Sequence, residues 1–243
     1  MPEPGVPLIS LRDVERNYHG LRPLRVRAFD LYAGQRVAIF GMGREPAEAF
    51  VNLVSAATLP DTGEVVTLGL RTSSVTTNDE WVGLLDHVGI LSERTVLLGE
   101  MTTAQNLAMP FSLEVLDMSA ELRARVESLA TEVGLDKASL DRPAAGLSSL
   151  GRARLRLARA LAASPQVLLA EHANAMVEAE DAMAIGEDLA RVIAGRRLAA
   201  VVLTADRRFA RRVASVMLEH NAATGELTPA SGWRRWFSSL GEG

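Results

Sequence analysis

Apolar residues recur along this chain in two periods, and the switches between them mark out its elements. Residues 7–12 (PLISLR) and 24–31 (LRVRAFDL) alternate apolar and polar, which predicts strands of a partly exposed antiparallel sheet. Gly34 marks a turn, and RVAIFG then forms a short apolar run, rich in β-branched residues and ending on Gly41, of the kind a buried strand shows. EPAEAFVNLVSAA follows with helical spacing, its Phe50, Leu53 and Val54 on one face. DTGEVVTLG reads as a turn and strand. The span 76–163 reads as mostly helical. Within it, ELRARVESLATEVGL places Leu122, Val126, Leu129 and Val133 on one face with Gly134 near its end, and LGRARLRLARALAA does the same with Leu155, Ala158, Leu161 and Ala162. QVLLAE and LAAVVLTA are further buried strands, separated by a helix over 179–195 that is expected to stop at Gly195.

Buried strands alternating with helices predict an α/β fold whose mostly parallel sheet is covered on both faces. The expected organisation is one domain over 1–228, with an N-terminal antiparallel β-subdomain and a helical subdomain inserted at about 76–163. A tail follows over 229–243. Its Trp233, Trp236 and Phe237 suit either a partner or membrane surface, or packing back onto the domain.

Composition narrows the function. The 243 residues are 48% apolar and 23% charged, which is ordinary for a globular chain large enough to bury a core without staples. A net charge of -4 provides no global basic field, so nucleic acid is not an expected partner. With no cysteine, disulfides and thiolate metal sites are excluded, and the four histidines show no ligand spacing. The opening residues MPEPGVPLIS lack the pattern of a secretory signal, and no apolar run approaches the roughly 18 residues of a membrane helix. A cytoplasmic protein is expected, at the inner face of a membrane only through a partner. Arg152, Arg154, Arg156 and Arg159, like Arg207, Arg208, Arg211 and Arg212, read as solvated basic faces.

Four segments in a fixed order carry the chemistry: VAIFGMGREPAEAF at 37–50, VGILSERTVLLGEMTTAQNL at 88–107, LSSLGRARLRLARALAASPQVLLAEHANAMVE at 147–178, and AAVVLTAD at 199–206. Together, over about residues 7–228, they resemble the nucleotide-binding subunit of ABC transporters. The step from the signature-like LSSLG to the acidic end of QVLLAE has the family's length without a gap. The resemblance implies a P-loop NTPase core of the ABC type, ATP and Mg²⁺ as ligands, and a dimer in which ATP lies between one subunit's phosphate loop and the other's signature. It further implies a permease or a second ATPase subunit as partner, in a homo- or heterodimer.

Set against that pattern, the residues depart at nearly every position that hydrolysis uses. A phosphate loop, G-x-x-x-x-G-K-[ST], wraps phosphate in backbone N–H groups, with the lysine on the β- and γ-phosphates and the hydroxyl on Mg²⁺. The matching stretch is Gly41, Met42, Gly43, Arg44, Glu45, Pro46, Ala47, Glu48 and Ala49, of which only the leading glycine fits. Pro46 has no N–H, Ala47 no charge, and a carboxylate at Glu48 would repel a phosphate by roughly 4 kcal/mol at ~4 Å and an effective dielectric of ~20. The family's Q-loop glutamine falls at Glu93, its Walker B aspartate at Glu171 and its catalytic glutamate at His172. The D-loop aspartate falls at Glu178 and the switch histidine at Ala205. The signature positions are Leu147, Ser148, Ser149, Leu150 and Gly151, and Tyr18 stands where the family stacks an aromatic ring on adenine, though a packed surface aromatic is the commoner role. His172 is read as structural rather than as a base for water.

Pro46 at a first helical position and Glu48 in the first turn suggest a helix that carries its own anion, from Glu48 alone or together with Glu45, a reading preferred to Arg44 as a replacement phosphate ligand. No residue is assigned as catalytic or as a metal ligand. The expected function is a hydrolysis-deficient ABC-type subunit supporting a permease or an active ATPase. The alternatives are a slow or altered ATPase using Arg44, Glu48, Glu171 and His172, and a nucleotide-sensing scaffold unconnected with transport.

Overall fold

The computed structural model describes residues 5–230, so the tail with Trp233, Trp236 and Phe237 lies outside the described residues. Strands β1 (Ile9–Arg16), β2 (Leu24–Leu31), β4 (Thr62–Thr67) and β5 (Leu70–Arg71) form an antiparallel sheet in the order β2-β1-β4-β5. The second sheet is built from β3 (Arg36–Phe40), β6 (Val88–Leu91), β7 (Val167–Glu171), β8 (Ala199–Leu203), β9 (Val216–His220) and β10 (Leu227–Pro229). Its order is β10-β9-β3-β8-β7-β6, and every pairing is parallel except that of β10 with β9. The helices are α1 (Arg44–Val54), α2 (Asn78–Leu85), α3 (Thr103–Ala108), α4 (Ala120–Glu132), α5 (Ser149–Leu161), α6 (Ala182–Arg196) and α7 (Arg207–Val213). This is the expected α/β architecture, with its antiparallel β-subdomain and its mostly parallel central sheet.

The central strands have no polar face because both faces are covered. Successive residues of β3, β7 and β8 alternate between two cores. Val37, Ile39, Leu169 and Val201 pack with α1 and the antiparallel sheet, while Ala38, Leu168, Ala170 and Val202 pack with α3 to α7. That two-sided burial is why these strands read as continuous apolar runs.

Four elements differ from expectation. Within the span read as mostly helical, Val88–Leu91 is the edge strand β6, paired parallel to β7. It presses so close to α5 that a Cβ on Gly89 would stand 2.4 Å from the Ala160 carbonyl oxygen. The strands β9 and β10 had no clear sequence period, because β9 has a mixed burial pattern and is completed by its neighbours. Helix α6 does not stop at Gly195 but continues to Arg196, and Arg197 takes the left-handed conformation that ends it (φ +55°).

Candidate functional site

Parallel strands point their carboxyl ends to one edge of a sheet, and ligands of α/β proteins bind there. At that edge lie Gly41 after β3, Ser92 and Glu93 after β6, Glu171 at the end of β7, and Ala205 after β8. The chain thereby gathers positions far apart in sequence.

The turn between β3 and α1 is short. Gly43 is the N-cap of α1, in extended conformation and without a side-chain cap, and the Ala47 N–H donates the first i→i−4 bond to its carbonyl (3.0 Å). The helix thus begins at Arg44, and Pro46 is its third residue rather than its first. The missing N–H of Pro46 falls among those that no intrahelical bond uses. Arg44 and Glu45, loop residues in the phosphate-loop pattern, are helical here. Met42 is buried in the core and draws the connection inward. Gly41 has φ +84°, and a Cβ there would meet the His220 carbonyl oxygen at 2.6 Å, so the passage of β9 alone accounts for this glycine. Ala47 and Ala49 face the core, with Ala47 at 0% exposure.

Glu48 does not supply an anion to the helix terminus. It is the fifth residue of α1, beyond the free N–H groups, and its carboxylate pairs with Arg94 at 3.2 Å. The same guanidinium donates to Glu171 Oε2 (2.8 Å) and to Asn52 Oδ1 (3.3 Å). Arg44 pairs with Glu93 at 3.5 Å, both side chains being exposed. Arg94 and Asn52 were not singled out from sequence. The signal available was an arginine adjoining the Q-loop position, in a site otherwise rich in glutamate.

His172 follows β7 in the left-handed conformation (φ +45°), its N–H bonded to the Leu203 carbonyl (2.9 Å). Its Nε2 is buried with no hydrogen-bond partner among the described residues. Thr204 donates its hydroxyl to Asn174 Oδ1 (2.8 Å), and the exposed Ala205 beside it carries no polar group.

Two clefts that share Glu48 lie at this edge of the sheet. One, of about 290 Å³, is lined by Arg44, Glu48, Glu93, Arg94, Glu171 and His172. The other, of about 260 Å³, has Tyr18, Glu45, Glu48, Ala49, Asn52 and Thr58 in its walls. The Tyr18 ring also packs against the core beneath. Ala205, Glu178 and residues 147–151 line neither cleft.

Among the signature positions, Ser148 caps α5 by accepting the Gly151 N–H (3.1 Å), and Ser149 Oγ accepts the Glu178 N–H (3.3 Å). Leu147 and Leu150 pack on the core. The arginines of α5 are not a solvated face. Arg152 donates to the Leu147 carbonyl (2.6 Å), Arg154 to Asp188 (2.7 Å), Arg156 to the Thr95 carbonyl (3.1 Å) and Arg159 to the Val96 carbonyl (2.6 Å). Burial lowers the pKa of Arg156 and Arg159 from the ordinary guanidinium value. By contrast, Arg207, Arg208, Arg211 and Arg212 on α7 are exposed, as expected.

Chemically, the site does not fit the phosphates of a nucleotide with its metal. The turn leaves no loop of N–H groups to wrap them, the lysine position faces the core, and Glu48 and Glu171 already hold a guanidinium. Among the described residues, no group of three or more His, Asp or Glu is placed to hold a metal ion.

Comparison with known proteins gives a consistent outcome. Residues 24–174 match the family described as ABC transporter. The methionine import ATP-binding protein MetN of Brucella abortus (strain 2308) is 26% identical over 227 residues, which covers 93% of this chain and 61% of MetN. The lipoprotein-releasing system ATP-binding protein LolD of Psychrobacter arcticus is 28% identical over 178 residues, 73% of this chain and 78% of LolD. The dimeric ABC transporter cassette MJ0796 shares the fold, with a TM-score of 0.73 at 22% identity over 87% of this chain and 93% of that one.

Proposed function

The chain belongs to the ABC transporter family, and on that premise we propose that it is a cassette subunit that supports a permease or an active ATPase partner through protein contacts and does not itself hydrolyse ATP. The observation that carries this reading is the pairing of Glu48 and Glu171 with Arg94, at 3.2 and 2.8 Å, where a working cassette needs groups free for phosphate and Mg²⁺. Phosphoryl transfer depends on positioning and on charge stabilisation. Ala47, His172 and Ala205 supply none of the lysine, glutamate and switch histidine that perform these tasks in the family pattern. Tyr18 and residues 41–49 are, on this reading, remnants of a nucleotide site, and residues 147–151 are a signature reduced to Leu147, Ser148 and a capped helix.

The names of the relatives support a transport context: an import ATP-binding protein, a lipoprotein-releasing system, and the macrolide export ATP-binding/permease protein MacB of Escherichia coli. Exposed apolar side chains support a protein partner. Val96 is 71% exposed on the connection after β6, and Leu113 is 97% exposed between α3 and α4. Among the described residues, no helix is long and apolar enough to cross a membrane.

The test is ATP binding and phosphate release by the purified protein with Mg²⁺, alongside recovery of a permease or ATPase with the tagged chain from its native cells. No turnover above the protein-free blank is expected. Micromolar binding with steady turnover, abolished by His172→Ala, would sink the proposal.

A further inference from the structure

The mismatch between this cleft and the metal implied by the family has a specific physical cause. We propose that Arg94 is the resident cation of the cleft. It closes the site to divalent ions and latches residues 92–98 to α1 and β7 in a position that no ligand controls. Its guanidinium joins oxygen atoms from two elements, Glu48 and Asn52 on α1 and Glu171 on β7. Two carboxylates and an amide carbonyl are the hard oxygen donors that Mg²⁺ and Mn²⁺ take. Here they surround a cation that is planar, permanently charged and covalently tethered. A soluble ion would have to displace a competitor whose effective concentration is set by its own backbone. The cleft does not attract phosphate either, because its two arginines face three glutamates.

The backbone of the same residue begins a clamp along the connection after β6. The Arg94 N–H donates to Ser92 Oγ (3.2 Å), and Arg156 and Arg159 of α5 donate to the Thr95 and Val96 carbonyls. Asn106 of α3 then holds both the N–H and the carbonyl of Leu98, each at 2.9 Å. Every one of these partners belongs to the chain itself. The exposed side chains of Val96 and Leu98 are therefore presented in one arrangement whether or not nucleotide is present. This goes beyond the absence of hydrolysis, since a cassette without turnover could still move this connection on binding a ligand.

The experiment is thermal unfolding of the full chain with and without millimolar MnCl₂, combined with amide hydrogen exchange over residues 92–98. Wild-type protein is expected to show no Mn²⁺-dependent rise in Tm, and the same exchange with and without Mg–ATP. Arg94→Ala is expected to melt at a lower temperature and to exchange at least about tenfold faster over 92–98. Mn²⁺ restores its Tm, and the added substitution Glu171→Gln abolishes that response. A Mn²⁺-dependent rise in the wild-type Tm, or an Arg94→Ala protein as stable as wild type without metal, overturns the proposal. If Arg94→Ala does not fold, the wild-type measurements decide: protection of residues 92–98 by Mg–ATP refutes the latch. The outcomes separate the two readings. Turnover with unchanged exchange would sink the non-hydrolysing function and leave Arg94 in place, whereas ligand protection without turnover would do the reverse.

Discussion

Asp188→Ala tests whether the arginines of α5 staple the fold. Asp188 lies on α6, is 6% exposed, and accepts Arg154 Nε at 2.7 Å while also pairing with Arg191. Removing its carboxylate leaves Arg154, a quarter exposed, without its counter-charge in the seam between α5 and α6. Breaking a buried pair costs about 3–5 kcal/mol, and a charged hydrogen bond about 1.5–3. Water reaching Arg154 relieves part of the penalty, so the expected loss is about 3 kcal/mol. For a chain of this size that lowers Tm by roughly 6–12 °C. Urea denaturation followed by circular dichroism at constant m-value measures it. Arg207→Ala, which breaks the exposed pair with Glu219 at 3.3 Å and the contact of the guanidinium with the Phe40 ring (5.3 Å), is the control and is expected to change stability by less than about 1 kcal/mol. Replacing both partners, Arg154→Met with Asp188→Leu, should recover most of the loss, because no buried charge remains. If Asp188→Ala falls within about 1 kcal/mol of wild type, the staple reading fails and the solvated-face reading returns.

Burial holds the His220 imidazole below its ordinary value of 6.5 and outweighs its bond to the Arg25 carbonyl. The fold therefore favours the neutral ring, and this stabilisation is complete above pH 6.5 and is lost as pH falls below it. Urea midpoints across that range should show a drop that His220→Gln lacks, and equal slopes for the two proteins would contradict the assignment. Ala47→Lys places an ammonium at a position with 0% exposure, and is expected to cost about 3 kcal/mol or more without creating ATP binding. A stable variant that binds ATP in calorimetry would show that the lysine position does not face the core. Gly89→Ala forces a methyl to 2.4 Å from the Ala160 carbonyl oxygen and should destabilise by about 1–3 kcal/mol. A neutral effect in the same denaturation assay would mean that β6 does not press on α5.

Local pattern was enough for the parts of the fold whose side-chain period is strong. The alternation in β1 and β2, the apolar runs of β3, β7 and β8, and the helical spacing of α4 and α5 are properties of neighbouring residues, readable without partners. The order and spacing of the motif segments likewise identified the family, and the loss of its chemical groups at Ala47, His172 and Ala205 is a matter of residue identity alone. The strands β6, β9 and β10 were hidden because a short strand is defined by the strands beside it. The site was hidden for a related reason. Glu48 was read as an anion for its own helix end because only its sequence neighbours were in view, yet its partner Arg94 also reaches Asn52, 42 positions away, and Glu171, 77 positions away. The sequence alone determined which charges the chain carries and which of the family's groups it lacks. Only the tertiary structure decided which charges neutralise one another, because an ion pair forms between groups close in space.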